Sequence, residues 1–230
     1  MNLTATVGYG PHGTAAEHAA WIFYVIAARA WMPIRLSLAQ PNVLVNGFIG
    51  QNAFLTSGLF LAGLHLLKTR PFLAGAVLGL LVIKPQLAIM LPVAMIAGRH
   101  WHAVAGGALS ASALLLIGFI PLGGVAYEAF FEILSTYTGF VSDSRWNWRE
   151  IASVYALLRY AGFENGIALS THVAVAALAV AMVWQWWSHD RPGKEAVLAA
   201  ATLLAPPYLL TYDGVLLGLP VAWLLLHAQR

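Results

Sequence analysis

Apolar stretches recur along the chain at roughly residues 19–34, 35–49, 52–67, 71–83, 86–98, 101–120, 165–187, 195–210 and 214–227, parted by short polar turns. Each reads as a helix, and crossing a hydrocarbon core of about 30 Å takes about 20 apolar residues. Several stretches hold only about 13 to 16 residues, or about 20 to 24 Å at 1.5 Å per residue. Their ends are therefore expected to meet inside the protein. The pattern predicts an all-α integral membrane protein, a polytopic bundle of about nine transmembrane or half-membrane helices. Residues 1–18 read as an N-terminal tail and 19–230 as a single multi-pass membrane domain, interrupted by an outer amphipathic segment at 122–164. The opening "MNLTATVGYGPHGTAAEH" lacks a basic region followed by a short apolar stretch and a cleavage site, so no cleaved signal peptide is expected.

Composition agrees with that solvent. Of the 230 residues 60% are hydrophobic and 9% charged, and the mean hydropathy of +0.74 lies outside the range of soluble domains. The formal charge of +3 comes from scattered Lys and Arg rather than a basic run, which argues against nucleic acid and for a role in membrane orientation. If each apolar stretch reverses direction, one side receives Lys68, Arg70, Arg99, Arg191, Lys194 and Arg230. The positive-inside rule makes that side cytoplasmic. The other side receives the "GQN" turn at Gly50, Gln51 and Asn52, the "KPQ" turn at Lys84, Pro85 and Gln86, the segment 122–164, and "PPYLLTYD" from Pro206 to Asp213.

The "KPQ" turn interrupts about thirty otherwise apolar residues from Pro71 to Gly98. Read as one helix, that stretch would put Lys68 and Arg70 opposite Arg99. A short hairpin with "IKPQL" at its tip keeps them together. Proline favours the hairpin, since it disfavours α conformation in the residue before it and removes a backbone donor. Lys84 then lies at the outer end, below the headgroups, where an ammonium needs water or a counter-anion. With that anion an arriving ligand, loss of Lys84 is expected to change stability little.

The segment 122–164 collects most of the acids and many aromatics. Tyr127, Phe130, Phe131, Ile133 and Leu134 fall on one face of a short helix, with Glu128 and Glu132 at i, i+4 on another. Ile151, Val154, Tyr155, Leu158 and Arg159 repeat the pattern. Trp146 and Trp148 suit an interfacial belt. Arg145 and Arg149, beside Asp143 and Glu150, form either a solvated salt-bridge cluster or a grip on an anionic group. Gly50 and Asn52 are explained by helix capping, and Asp213 by capping of the last helix or by chemistry. Gln51 carries an amide at the same end as Lys84, suited to a sugar or phosphate or to a structural network.

Other chemistries lack their residues. Cysteine is absent, and the eight histidines show no metal-ligand spacing. No Walker loop, dinucleotide fingerprint or GxSxG is present, so neither a cofactor nor a metal is expected. Gly106, Gly107, Ser110 and Ala111 read as close helix packing.

The stretch "GQNAFLTSGLFLAGLHLLKTRPFLAGAVLGLLVIKPQLAIMLPVAMIAGRHWHAVAG" resembles the core of the bacterial membrane glycosyltransferases of family 87, with their GQN turn, basic loop, "AGxxxGxxxxKPQ" and "GRxW". "WNWREIASVYALLRYAG" and "LLAPPYLLTYDGVLL" resemble two further blocks of that family, in the same order. The resemblance implies a GT-C-like transferase of the bacterial inner membrane whose donor is a polyprenyl-phosphate sugar, commonly mannose. It implies that Lys84 pairs with the lipid phosphate and that Gln51 and Asn52 line the donor pocket. Tyr208, Tyr212 and Asp213 would close the cavity; Gln86 and Arg149 complete the candidate donor and phosphate ligands. Relatives carry their proposed catalytic acid in a first outer loop. Residues 1–18 offer only Glu17 and do not match that loop. No base is assigned: Asp213 and Asp143 sit in segments expected to reach the cavity, with Asp213 the candidate of the two, and a partner chain that supplies N-terminal helices is an expected associate. The alternatives are an inactive membrane fragment or subunit that binds lipid phosphate, and a small transporter.

Overall fold

The computed structural model describes residues 15–49, 51–142 and 151–227. Among them the architecture is all-α, with one isolated antiparallel bridge between Ile151 and Leu210. The helices are α1 (Ala15–Ala28), α2 (Ile34–Leu38), α3 (Pro41–Ile49), α4 (Ala53–Leu66), α5 (Pro71–Gly79), α6 (Pro85–Ala88), α7 (Leu91–Ala97), α8 (Trp101–Ser142), α9 (Val154–Tyr160), α10 (Asn165–Ser188), α11 (Lys194–Leu204) and α12 (Gly218–His227). Tight 3-10 turns at Leu80–Ile83 and Thr211–Leu217 precede α6 and α12.

The expected fold class is met in part. Two described helices, Trp101–Ile133 and Asn165–Ser188, are long and apolar enough to cross a membrane, while Ala15–Ala28, Ala53–Leu66, Pro71–Ile83, Pro85–Ala97 and Thr211–His227 are apolar helical stretches of only 10–17 residues. Proline and glycine account for the short lengths. Pro41 begins α3 and separates it from α2, so the stretch expected at 35–49 is two helices. α8 breaks at Gly123, whose φ of 67° and ψ of −176° fit glycine and not an L side chain. The helix resumes and folds back: the Tyr127 hydroxyl donates to the Leu115 carbonyl at 2.5 Å. The outer segment thus begins with a helix of its own, set apart from the first part of α8 by the break at Gly123, as its amphipathic pattern predicted.

The hairpin at "IKPQL" is present. Gly75 and Gly79 of α5 lie against Ala103 and Gly107 of α8, so these helices run parallel. α7 ends at Ala97, just before α8 begins, so the chain reverses between residues 80 and 90. Small residues permit this approach. A Cβ on Gly75 would strike the Ala103 carbonyl, and one on Gly106 the Phe72 carbonyl.

α4, α5, α7 and α11 run between two chemically distinct ends. At one end Lys194 pairs with Asp190 at 2.5 Å, its ammonium lies 4.6 Å from the Trp187 ring centre, and Arg191 stacks on Trp186 at 5.0 Å. His100 meets the edge of Trp187 at 5.9 Å. Lys194 and, more weakly, Lys68 hold the Asp190 carboxyl below its usual range. The turns after α4, α7 and α10 therefore gather together, as the charge pattern predicted. At the opposite end lie Asn52, Lys84 and Asp213.

Candidate functional site

Local sequence fixes each member of this second end. Pro85 is the first residue of α6 and forces Lys84 out of helical geometry, to φ −139° and ψ 73°. The Lys84 backbone is bracketed on both sides, its N–H donating to Leu81 at 2.8 Å and its carbonyl accepting from Leu87 at 2.9 Å. The side chain thus leaves a fixed joint between two short helices. Asn52 precedes α4. Asp213 sits in the 3-10 turn, where its N–H donates to Leu210 at 3.0 Å. That turn is reached after Pro206 and Pro207 end α11, and the side chain of Asn42 fills the space beside Gly214 where a Cβ would stand.

These elements converge on one ammonium. Lys84 Nζ forms a buried ion pair with Asp213 Oδ1. It also donates to Asn52 Oδ1 at 3.2 Å and lies 4.6 Å from the centre of the Tyr212 ring. Lys84 is 7% exposed and the Asp213 side chain 0%. The other carboxylate oxygen, Oδ2, is buried with no hydrogen-bond partner among the described residues. This corrects two expectations. Lys84 has an internal counter-ion, so its removal strands a carboxylate rather than relieving a lone charge. Asn52 makes no side-chain cap bond to α4 and serves the lysine instead.

The ammonium faces a cavity of about 830 Å³. One wall is polar and carries Gln51, Asn52, Lys84, Gln86 and Tyr212; the facing wall is Leu115 and Leu122 with Tyr127, Phe130 and Phe131 from beyond the α8 break. An enclosed cation opposite an aromatic wall suits a ligand that joins an anionic group to a ring or an apolar chain. Among the described lining residues there is no carboxylate. Asp213 lies behind the lysine and is not among the lining residues, and Asp143, the other acid expected near the cavity, lies outside the described residues.

Of the expected ligands, Lys84, Gln51, Asn52, Gln86 and Tyr212 are thus brought together. Tyr208 is exposed and does not line the cavity. Arg149, with Arg145, Asp143, Glu150, Trp146 and Trp148, lies outside the described residues, as does Gly50. The blocks "IASVYALL" and "PPYLLTYD" do meet: Ala152 donates to Leu209 at 2.6 Å, and Ser153 Oγ donates to the Pro207 carbonyl at 2.6 Å while capping α9. The Lys84–Asp213 pair escaped the sequence reading, although both residues fell on turns at the same end. The wall formed by Tyr127, Phe130 and Phe131 could not be read before the break at Gly123 was seen.

No histidine, cysteine, aspartate or glutamate cluster able to hold a metal ion occurs among the described residues. No curated protein and no solved structure matches the chain. The sequence model of glycosyltransferase family 87 matches residues 12–211, a stretch that includes Gln51, Asn52, Lys84, Gln86 and the cavity's aromatic wall and stops two residues before Asp213. With the match covering most of its length, the chain belongs to glycosyltransferase family 87, a family of membrane glycosyltransferases.

Proposed function

We propose that the chain binds a polyprenyl-phosphate sugar, with mannose as the hexose, at the Lys84 cavity and takes part in its transfer on the outer side of the bacterial inner membrane. The observation that carries this reading is the buried ammonium in the wall of a cavity large enough for a sugar phosphate. Ligand pockets generally measure about 300–1,000 Å³. When the glycosidic bond breaks, negative charge collects on the leaving phosphate, and a positioned cation stabilises it where water is excluded. Gln51, Asn52 and Gln86 offer amide donors and acceptors to sugar hydroxyls. The end that gathers Lys68, Arg191 and Lys194 is cytoplasmic in this reading, which sets the Lys84 end outward in a multi-pass arrangement.

The test is binding of polyprenyl-phosphate mannose to the chain in nanodiscs, comparing wild type with Lys84→Gln and with the Lys84→Gln/Asp213→Asn pair. Both variants are expected to lose at least about tenfold in affinity, the scale of a charge-assisted hydrogen bond. Unchanged affinity in both would refute the assignment of Lys84 to the phosphate.

A second reading has its own observation, the lack of a carboxylate among the described lining residues. General acid–base catalysis contributes about 10²- to 10⁴-fold. A subunit that binds the donor while a partner chain supplies the base would bind normally and transfer only when that partner is present.

A further inference from the structure

An ammonium has three protons, and those of Lys84 already face Asp213 Oδ1, Asn52 Oδ1 and the Tyr212 ring. A phosphate in the cavity can reach this nitrogen only by displacing or sharing one of them. Asn52 is exposed and neutral, and the Tyr212 ring is neutral, so neither resists an anion. Asp213 differs, because its side chain is fully buried and its second oxygen has no partner. It gives up the lysine only at the cost of a stranded carboxylate. We infer that Asp213 is an internal competitor for Lys84, a positioning residue that lowers the affinity of the site for phosphate and drives the spent lipid phosphate out.

The discrimination follows from charge. Two acceptors on one nitrogen lie within roughly twice a hydrogen-bond length, or about 6 Å. A sugar phosphodiester brings one negative charge beside the carboxylate. The monoester left after transfer brings about 1.5 to 2 at pH 7. Repulsion by Asp213 therefore falls more heavily on the spent carrier than on the loaded donor. A site that held the monoester more tightly would stall after each turnover, and the buried carboxylate opposes that. The inference rests on the proposed role of Lys84 as the phosphate ligand.

The experiment measures binding of polyprenyl phosphate and of polyprenyl-phosphate mannose to the full chain in nanodiscs at pH 7, for wild type, Asp213→Asn, Asp213→Glu and Lys84→Gln. Asp213→Asn is expected to bind the monoester at least about tenfold more tightly, with a smaller gain for the diester, while Asp213→Glu restores weaker monoester binding. Equal or weaker monoester binding by folded Asp213→Asn would overturn the inference. If that variant does not fold, infrared difference spectra of wild type labelled with ¹³C-aspartate decide. The chain has three aspartates, Asp143, Asp190 and Asp213. Monoester binding should shift a buried aspartate carboxylate band, and an unshifted band would overturn the inference. Lys84→Gln separates the two levels. If it loses neither ligand, the phosphate reading itself fails; if it loses both and Asp213→Asn gains nothing, only the competitor role fails.

Discussion

Replacing Lys84 by methionine keeps the length of the side chain and removes its charge. The structure sets the cost. Asp213 Oδ1 loses its ammonium, Oδ2 has no other partner, and the side chain is closed to water. Breaking a buried pair from one side costs about 3–5 kcal/mol, because the remaining charge is uncompensated. For a chain of this length about 1 kcal/mol moves the melting temperature by about 2–4 °C, so Lys84→Met should melt about 6–20 °C lower. Asp213→Asn should cost less, about 1–2 kcal/mol, since Lys84 keeps Asn52 and the Tyr212 ring and borders the cavity. The double variant strands neither charge and should be more stable than Lys84→Met alone. The assay is a double-mutant cycle read by intrinsic fluorescence during thermal unfolding in one detergent; the nine tryptophans provide the signal. Strictly additive losses would show that the two residues do not act as a pair and would refute the reasoning.

Gly75→Ala should destabilise the α5–α8 contact by about 1–3 kcal/mol, the usual cost of overpacking, because its Cβ strikes the Ala103 carbonyl. Gly107→Ala, whose nearest obstacle is the Gly75 carbonyl at 3.3 Å, should cost less, and thermal unfolding of both ranks them. The depressed Asp190 carboxyl stabilises the fold above the ordinary aspartate range, and that contribution is lost as pH falls through its lowered value. Asp190→Asn should therefore flatten the stability profile on the acid side, by less than about 1 kcal/mol because the carboxylate of the pair is exposed. Single cysteines can be placed without background, since the chain has none. Cysteines at Asn52 and Gln86 should react with an impermeant reagent from outside intact cells, and those at Arg99 and Asp190 only after permeabilisation; labelling of Gln86 and Arg99 from one side would contradict the orientation.

Much of the helical frame is legible in the sequence because membrane proteins write it in long apolar runs and scattered cations. The turns that carry Lys68, His100 and Lys194 gather where the alternation of charge placed them, and Pro85 marks the reversal at Lys84. What sequence reasoning lacks is distance across the bundle. Lys84 and Asp213 lie 129 positions apart, and nothing local to either announces a partner. Asn52 carries the residue type of a helix cap, and capping alone explains it until the lysine is seen on its oxygen. The break in α8 illustrates a third limit. "PLGG" signals an interruption, yet the left-handed angle at Gly123 decides that Tyr127 and Phe131 return to face the lysine.

The central claim is that the Lys84 ammonium holds the phosphate of the lipid-linked sugar. The chain has three lysines, Lys68, Lys84 and Lys194, so ¹⁵N-lysine labelling yields few side-chain signals to assign. Solid-state NMR recoupling between ¹⁵Nζ and the ³¹P of bound polyprenyl-phosphate mannose measures the contact directly. The account predicts coupling at one lysine signal, at a nitrogen-to-phosphorus separation of about 3–4 Å expected for a charge-assisted hydrogen bond, and its disappearance in Lys84→Gln. Coupling to Lys68 or Lys194, or a bound donor whose phosphorus couples to no lysine, would contradict it.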